Sequence, residues 1–143
     1  MNFSSNAASL PNIPKAVFEK WQNIVSLISV LINVPATLIM RIVESDITVF
    51  ASNHNKHNPY HIGEKEHLSG SGLYCETVIK TKSGLLVPNA LNDEKWKNNP
   101  DVKHNMISYL GYPVLYPDGT PFGTICVLDN KENKWSVLIG QIF

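Results

Sequence analysis

Residues 108–129 read SYLGYPVLYPDGTPFGTICVLD, and this stretch carries the clearest structural signal in the chain. Two runs of apolar, β-branched and aromatic residues flank Pro117-Asp118-Gly119, a triplet with the residue preferences of a tight turn. The stretch therefore predicts an antiparallel hairpin. In its second strand, alternation groups Cys126 with Phe122 and Thr124 on one face. Both faces of that strand are apolar, as expected for the centre of a sheet.

A second hairpin lies earlier in the chain. The runs ATLIMRIV (36–43) and ITVFAS (47–52) are rich in β-branched residues and flank a turn-like Glu-Ser-Asp. Between the two hairpins, the sequence predicts a surface loop at 53–67, a short helix at 73–80 and a strand at 85–91 broken by Pro88.

An amphipathic helix is predicted before the first strand, beginning near Pro14 and ending before Pro35. Its apolar residues form one seam at spacings of four, three, four and three, a pattern that suits core packing, a dimer interface or both. The seam consists of Val17, Trp21, Ile24, Ile28 and Leu31.

The final residues, SVLIGQIF (136–143), read as the start of another helix.

The order of these elements predicts an α+β fold with an antiparallel sheet, in one domain spanning 1–143 with a flexible segment at 1–12. Twelve basic and twelve acidic residues balance, so nothing indicates nucleic-acid binding. The longest apolar run, at 24–34, has eleven residues, whereas a membrane span needs about twenty. Two cysteines do not form a disulfide framework, and no secretory signal is apparent. We therefore expect a cytoplasmic protein.

Four short motifs occur in one ordered series between residues 74 and 129. An aromatic–cysteine pair, Tyr74-Cys75, opens the short helix, and the next strand closes in Val-Pro-Asn-Ala (87–90). An acidic turn, a tryptophan and Asn99-Pro100 follow, and then a Gly-Thr-Ile-Cys-Val strand that ends in Asp129. The series resembles the GAF domains of bacterial sensor kinases and cyclic-dinucleotide signalling proteins, although Asn89 stands where those domains usually carry aspartate.

The resemblance implies a central antiparallel sheet of five or six strands, with terminal helices on one face and a ligand cavity on the other. It also implies a sensory domain that binds an unidentified small molecule and passes occupancy to an effector outside this chain, such as a histidine kinase or a diguanylate cyclase. A homodimer through the terminal helices is expected. No cofactor can be named from the sequence. The expected ligand-binding residues are Tyr74, Cys75, Trp96, Met106, Tyr109, Tyr112, Thr124 and Cys126.

Cys75 allows more than one interpretation. It shares a helix face with Val78 and Ile79, which favours a buried thiol that packs in the core. It also lies in the first helical turn, where the helix dipole favours a thiolate, so a redox or ligand-contact role stays open, as does covalent catalysis or chromophore attachment.

Four histidines, His54, His57, His61 and His67, fall within fourteen residues. They lack the cysteines or the preformed helix that structural zinc sites use, so the sequence predicts a solvated loop and no metal site.

No catalytic constellation is apparent, and we expect no enzyme activity. Two alternatives remain. One is a cysteine-based redox protein similar to the free methionine sulfoxide reductases, and the other is a dimerisation module without a ligand.

Overall fold

A computed structural model describes residues 13–135, and the segments 1–12 and 136–143 lie outside the described residues. The expected flexible N-terminal segment and the expected C-terminal helix therefore fall outside it. The helices are α1 (Lys15–Leu31) and α2 (Tyr74–Thr81), and two 3-10 helices cover Ala90–Asn92 and Pro100–His104. The strands are β1 (Ala36–Val43), β2 (Asp46–Ser52), β3 (Lys65–His67), β4 (Leu85–Val87), β5 (Ser108–Leu115) and β6 (Pro121–Asp129).

The six strands form one antiparallel sheet in the order β3-β2-β1-β6-β5-β4. The two predicted hairpins lie side by side, because β1 pairs with β6 at the centre. The expected α+β class and the antiparallel sheet are confirmed. The strand predicted at 85–91 is shorter than expected: it ends at Val87, and Ala90–Asn92 turns into a 3-10 helix.

The sheet has an apolar core on each face. Helix α1 packs on one face, where Val25 contacts Ile39 and Ala51. Helix α2 and the segment after it cover the other face, where Val78 packs with Leu38 and Tyr109. Side chains along β1 alternate between these two cores, as the two-residue period of a strand requires.

Phe122 differs from the sequence prediction. Alternation groups it with Cys126, but it packs on the α1 face with Trp21 and Phe50. The register explains the change: Val114 pairs with Gly123 and Leu115 with Pro121, so the pairing is irregular at Phe122. An extra residue in one strand reverses the faces of the residues beyond it.

The predicted seam of α1 splits into two. Trp21 and Ile28 pack toward the sheet on either side of fully buried Val25. Ile24 and Leu31, predicted to belong to the same seam, remain 39% and 71% exposed.

The segment 53–67 is more ordered than the surface loop predicted for it. Asn53 and Asn58 are buried, and the amide of Asn58 donates to Ser52 Oγ and to Asn53 Oδ1 at 2.8 and 2.9 Å. Asn53 Oδ1 also accepts from the backbone N–H of Thr37 at 2.7 Å. The segment then pairs with β2 through Lys65–His67. These contacts fix where the loop crosses the sheet.

Candidate functional site

A cavity of about 330 Å³ lies between the sheet and the segments that cover it on the α2 side. Strands β1, β2, β5 and β6 form its floor, α2 and the second 3-10 helix form one wall, and the loop before β3 forms the other. The lining residues are Leu38, Met40, Ile47, Val49, Pro59, Tyr60, Glu64, Lys65, Glu66, Leu73, Cys75, Pro100, Asp101, His104, Tyr109, Cys126 and Leu128.

Helix α2 begins with a cap that the sequence did not reveal. Its N-cap is Leu73, which has no side-chain oxygen. Instead the Glu76 carboxylate accepts hydrogen bonds from the backbone N–H groups of Gly70 and Gly72. Burial alone would raise the pKa of Glu76, but those hydrogen bonds and Lys80 hold it below its usual value. The segment 70–72 is thereby hydrogen-bonded to the helix that carries Cys75.

Cys75 and Cys126 are both buried free thiols in the cavity wall, at 8% and 2% exposure. The sulfur of Cys75 lies 3.4 Å from Thr124 Oγ1 and 3.5 Å from Tyr109 Oη, in the same buried cluster as Cys126. Interaction with the neighbouring thiol of Cys126 lowers the pKa of Cys75, whereas interaction with Cys75 and burial raise the pKa of Cys126 well above its usual value. The two coupled thiols therefore lose a first proton more readily than a second.

Asp101 supplies a buried carboxyl group to the same cavity. It lies in the second 3-10 helix, which begins where Asn99 Oδ1 accepts from the Asp101 N–H at 2.8 Å. Its own Oδ1 accepts a 2.8 Å hydrogen bond from the hydroxyl of Tyr60, 41 residues away in the chain. Burial raises the pKa of Asp101, against the hydrogen bonds from Tyr60 and from the backbone of Tyr74. The ring of exposed His104 packs edge-on against Tyr60, with centroids 5.6 Å apart.

Of the eight expected ligand-binding residues, Cys75, Tyr109 and Cys126 line the cavity. Tyr74, Trp96, Met106 and Thr124 are buried just behind its wall, where the Tyr74 ring stacks on Tyr109 with centroids 4.7 Å apart. The Tyr74 hydroxyl donates to the Met106 carbonyl at 3.0 Å.

Tyr112 does not line this cavity, because it packs on the opposite face near Leu110 and Val127. The tyrosines Tyr109 and Tyr112 are three residues apart on one strand, so they point to opposite faces.

Sequence reasoning missed Tyr60, Asp101 and His104. Tyr60 belongs to a segment that reads as a surface loop. The buried asparagines of 53–67 gave no periodic signal. The Asn99-Pro100 pair was the one available hint, because asparagine before proline is typical of a helix start.

The histidines of the loop stay apart from the cavity. His54, His57, His61 and His67 are all exposed, and residues 13–135 contain no group of three side chains suited to hold a metal ion. No helix within those residues is long and apolar enough to cross a membrane.

No protein-family model and no curated protein matches the sequence, but solved structures match the fold. The GAF domain of an Acinetobacter phosphoenolpyruvate-protein phosphotransferase is 20% identical, with a TM-score of 0.67 over 87% of this chain and 72% of that one. A type II free methionine-R-sulfoxide reductase from Thermoplasma acidophilum is 14% identical, with a TM-score of 0.66 over 87% and 82%. A methyl-accepting chemotaxis protein fragment, residues 122 to 287, is 13% identical, with a TM-score of 0.65 over 99% and 89%. The sheet, the helices and these likenesses agree with the motif series, and the chain has the fold of a GAF domain.

Proposed function

We propose that this chain is a sensory domain of a bacterial signalling protein, located in the cytoplasm, that binds a small molecule in the cavity and has no catalytic activity. The observation that carries the proposal is the cavity itself. Its volume of about 330 Å³ lies at the lower end of the range of about 300–1,000 Å³ typical of small-molecule sites. Its walls are mostly apolar and hold a few buried polar groups, which is the usual composition of such sites. Several of the solved structures with this fold are GAF domains, and another is a fragment of a methyl-accepting chemotaxis protein.

The proposed output runs through β1. Leu38 and Met40 line the cavity, while Ile39 between them contacts the α1 core. A ligand that binds one arrangement of β1 more tightly than another shifts the equilibrium between the two corresponding packings of α1. The free energy of that shift is no larger than the difference between the ligand's binding free energies for the two arrangements. The effector that reads α1 would be a kinase or a cyclase outside this chain.

The test is to identify what the purified protein carries. Native mass spectrometry of protein expressed without a tag should show a small molecule bound at one copy per chain, released on denaturation. Methyl NMR signals of Leu38 and Met40 should move when that molecule is removed. Unchanged cavity methyl signals across a broad metabolite library, with no copurified species, would contradict ligand binding.

We also propose that two copies associate through α1. Ile24, Leu27, Val30 and Leu31 form an apolar stripe that is 39%, 58%, 77% and 71% exposed, on the side of α1 away from the sheet. Exposed apolar side chains at this helical spacing are typical of helix–helix interfaces.

A redox enzyme is the second candidate, favoured by the presence of two buried thiols, Cys75 and Cys126, in the wall of one cavity. In such a reaction methionine sulfoxide and the two thiols give methionine, a Cys75–Cys126 disulfide and water. Methionine formation from the free sulfoxide in the presence of dithiothreitol, abolished in both Cys75→Ser and Cys126→Ser, would support it. No turnover above background would leave the sensory role.

A further inference from the structure

Asp101 differs from the other carboxyl groups at the cavity. Glu64 and Glu66 also line it, but both are exposed and belong to its mouth, whereas Asp101 is 7% exposed and lies inside. A buried carboxyl group is stabilised in its charged form only by hydrogen bonds or by an opposite charge. The hydroxyl of Tyr60 supplies a hydrogen bond at 2.8 Å. Among residues 13–135, no lysine or arginine forms an ion pair with Asp101.

The basic groups at the cavity are few and lie at its mouth. Lys65 is exposed, and its Nζ lies 3.8 Å from the carboxylate of Asp46. His104 is exposed beside Tyr60. Arg41 lies on the opposite face of the sheet, near the rings of Phe50 and Phe122. Among the described lining residues, three are acidic, one is lysine and none is arginine. This distribution is unfavourable for a phosphate or a carboxylate ligand, which would need fixed cations.

Most of the remaining cavity surface is apolar. Leu38, Met40, Ile47, Val49 and Leu128 lie on the floor, and Leu73 at the start of α2 lies in a wall. A ligand that fills this volume therefore gains most of its affinity from apolar contact and its orientation from a few polar groups.

Building on the proposed function, we propose that the ligand is a small, largely apolar molecule bearing a protonated amine or amidine, and that Asp101 binds this cation. The cation would donate to the Asp101 carboxylate beside the Tyr60 hydroxyl, while the apolar part lies on the sheet. Such a charge-assisted hydrogen bond in a site shielded from water is stronger than one between neutral groups. Burial raises the pKa of Asp101 in the free protein, and the positive charge of the bound ligand would offset that rise.

The test compares three probes of similar size: 2-phenylethylamine, 2-phenylethanol and phenylacetate. Calorimetric titration of the full wild-type chain at pH 7 should give an affinity for the amine at least about tenfold above that for the alcohol, and weakest binding for phenylacetate. Amide NMR shifts around Asp101 and Tyr60 locate the binding. Equal affinity for the amine and the alcohol, or no binding of the amine, would overturn the inference. Because the wild-type comparison needs no substitution, it decides the question even where a variant fails to fold.

A substitution then assigns the cation to Asp101. Asp101→Asn keeps the shape and removes the charge, so it should lose at least about tenfold in amine affinity while the affinity for the alcohol changes less than about twofold. The matched control is Glu94→Gln, which removes a carboxylate that is 90% exposed and does not line the cavity. Unchanged amine affinity in folded Asp101→Asn would place the cation elsewhere and overturn the assignment. Tight binding of phenylacetate or the alcohol alone would overturn the amine class while supporting a ligand-binding domain, so the two proposals fail separately.

Discussion

The thiol of Cys75 and the hydroxyl of Thr124 lie 3.4 Å apart, and this contact joins the start of α2 to the central strand β6. Cys75 has little access to solvent: it is 8% exposed, and its sulfur also lies 3.5 Å from the Tyr109 hydroxyl. The geometry therefore favours the buried thiol among the interpretations that the sequence left open, with a face toward the cavity.

Replacing Cys75 with alanine should lower the free energy of unfolding by about 1–2 kcal/mol, because it removes a buried sulfur and its hydrogen bonds. Urea unfolding followed by circular dichroism measures the change. The native protein should also react slowly with a bulky aromatic disulfide reagent at neutral pH. Fast modification of Cys75 in the folded chain would show instead an accessible thiolate and would strengthen the redox candidate.

Replacing Glu76 with glutamine should lower the free energy of unfolding at pH 7 by about 1–3 kcal/mol, because Gly70 and Gly72 lose a charged acceptor. The folded-state pKa of Glu76 lies below the unfolded value of about 4.3, so its contribution is complete above that pH and is lost as the pH falls through the folded value. The wild type and the variant should therefore converge as the pH falls below the folded-state pKa of Glu76. A difference that persists unchanged at pH 3 would refute this account, and Glu94→Gln serves as the exposed control.

Replacing Gly123 with alanine should cost about 3 kcal/mol or more, since the new Cβ would lie 1.8 Å from the Met40 carbonyl oxygen. The obstructing atom belongs to the backbone, so it cannot rotate away as the end of a flexible side chain could. The backbones of β1 and β6 would therefore have to move apart. Ser83→Ala, at an exposed position before β4, should change stability by less than about 0.5 kcal/mol. Equal melting temperatures for the two variants would show that the strands separate easily.

The double substitution Leu27→Glu and Val30→Glu should convert a dimer into a monomer, because both side chains lie in the exposed stripe of α1. Light scattering at tens of micromolar reports the mass. The matched control is Lys20→Glu with Asn23→Glu, which adds the same residue type at exposed polar positions of α1. A wild-type protein that is monomeric at this concentration would disprove the interface.

The sequence predicts well those elements whose residues repeat with a regular period. The alternating apolar residues of 36–43, 47–52 and 108–129 identify four strands, and β1, β2, β5 and β6 follow them closely. Cys75, Tyr109 and Cys126 were expected at the site because they belong to such elements or to the motif series, and all three line the cavity.

The remaining site residues depend on contacts between distant segments, which no local pattern encodes. Tyr60 reaches Asp101 only because Asn53 and Asn58 hold the preceding loop against the sheet. The position of Phe122 also depends on the pairing of strands. A single extra residue in β6 places Phe122 on the face opposite to the one that alternation predicts, whereas alternation assigns the rest of β6 correctly.

The alternation along β1 has a consequence for how such a domain diversifies. Leu38 and Met40 belong to the cavity, whereas Ile39 belongs to the α1 core, so a single substitution in this strand changes the side chains of one face and leaves those of the other intact. Under the proposed function, selection can therefore alter ligand preference without rebuilding the surface that α1 presents. In that proposed role, one strand would allow recognition and output to evolve as separate traits.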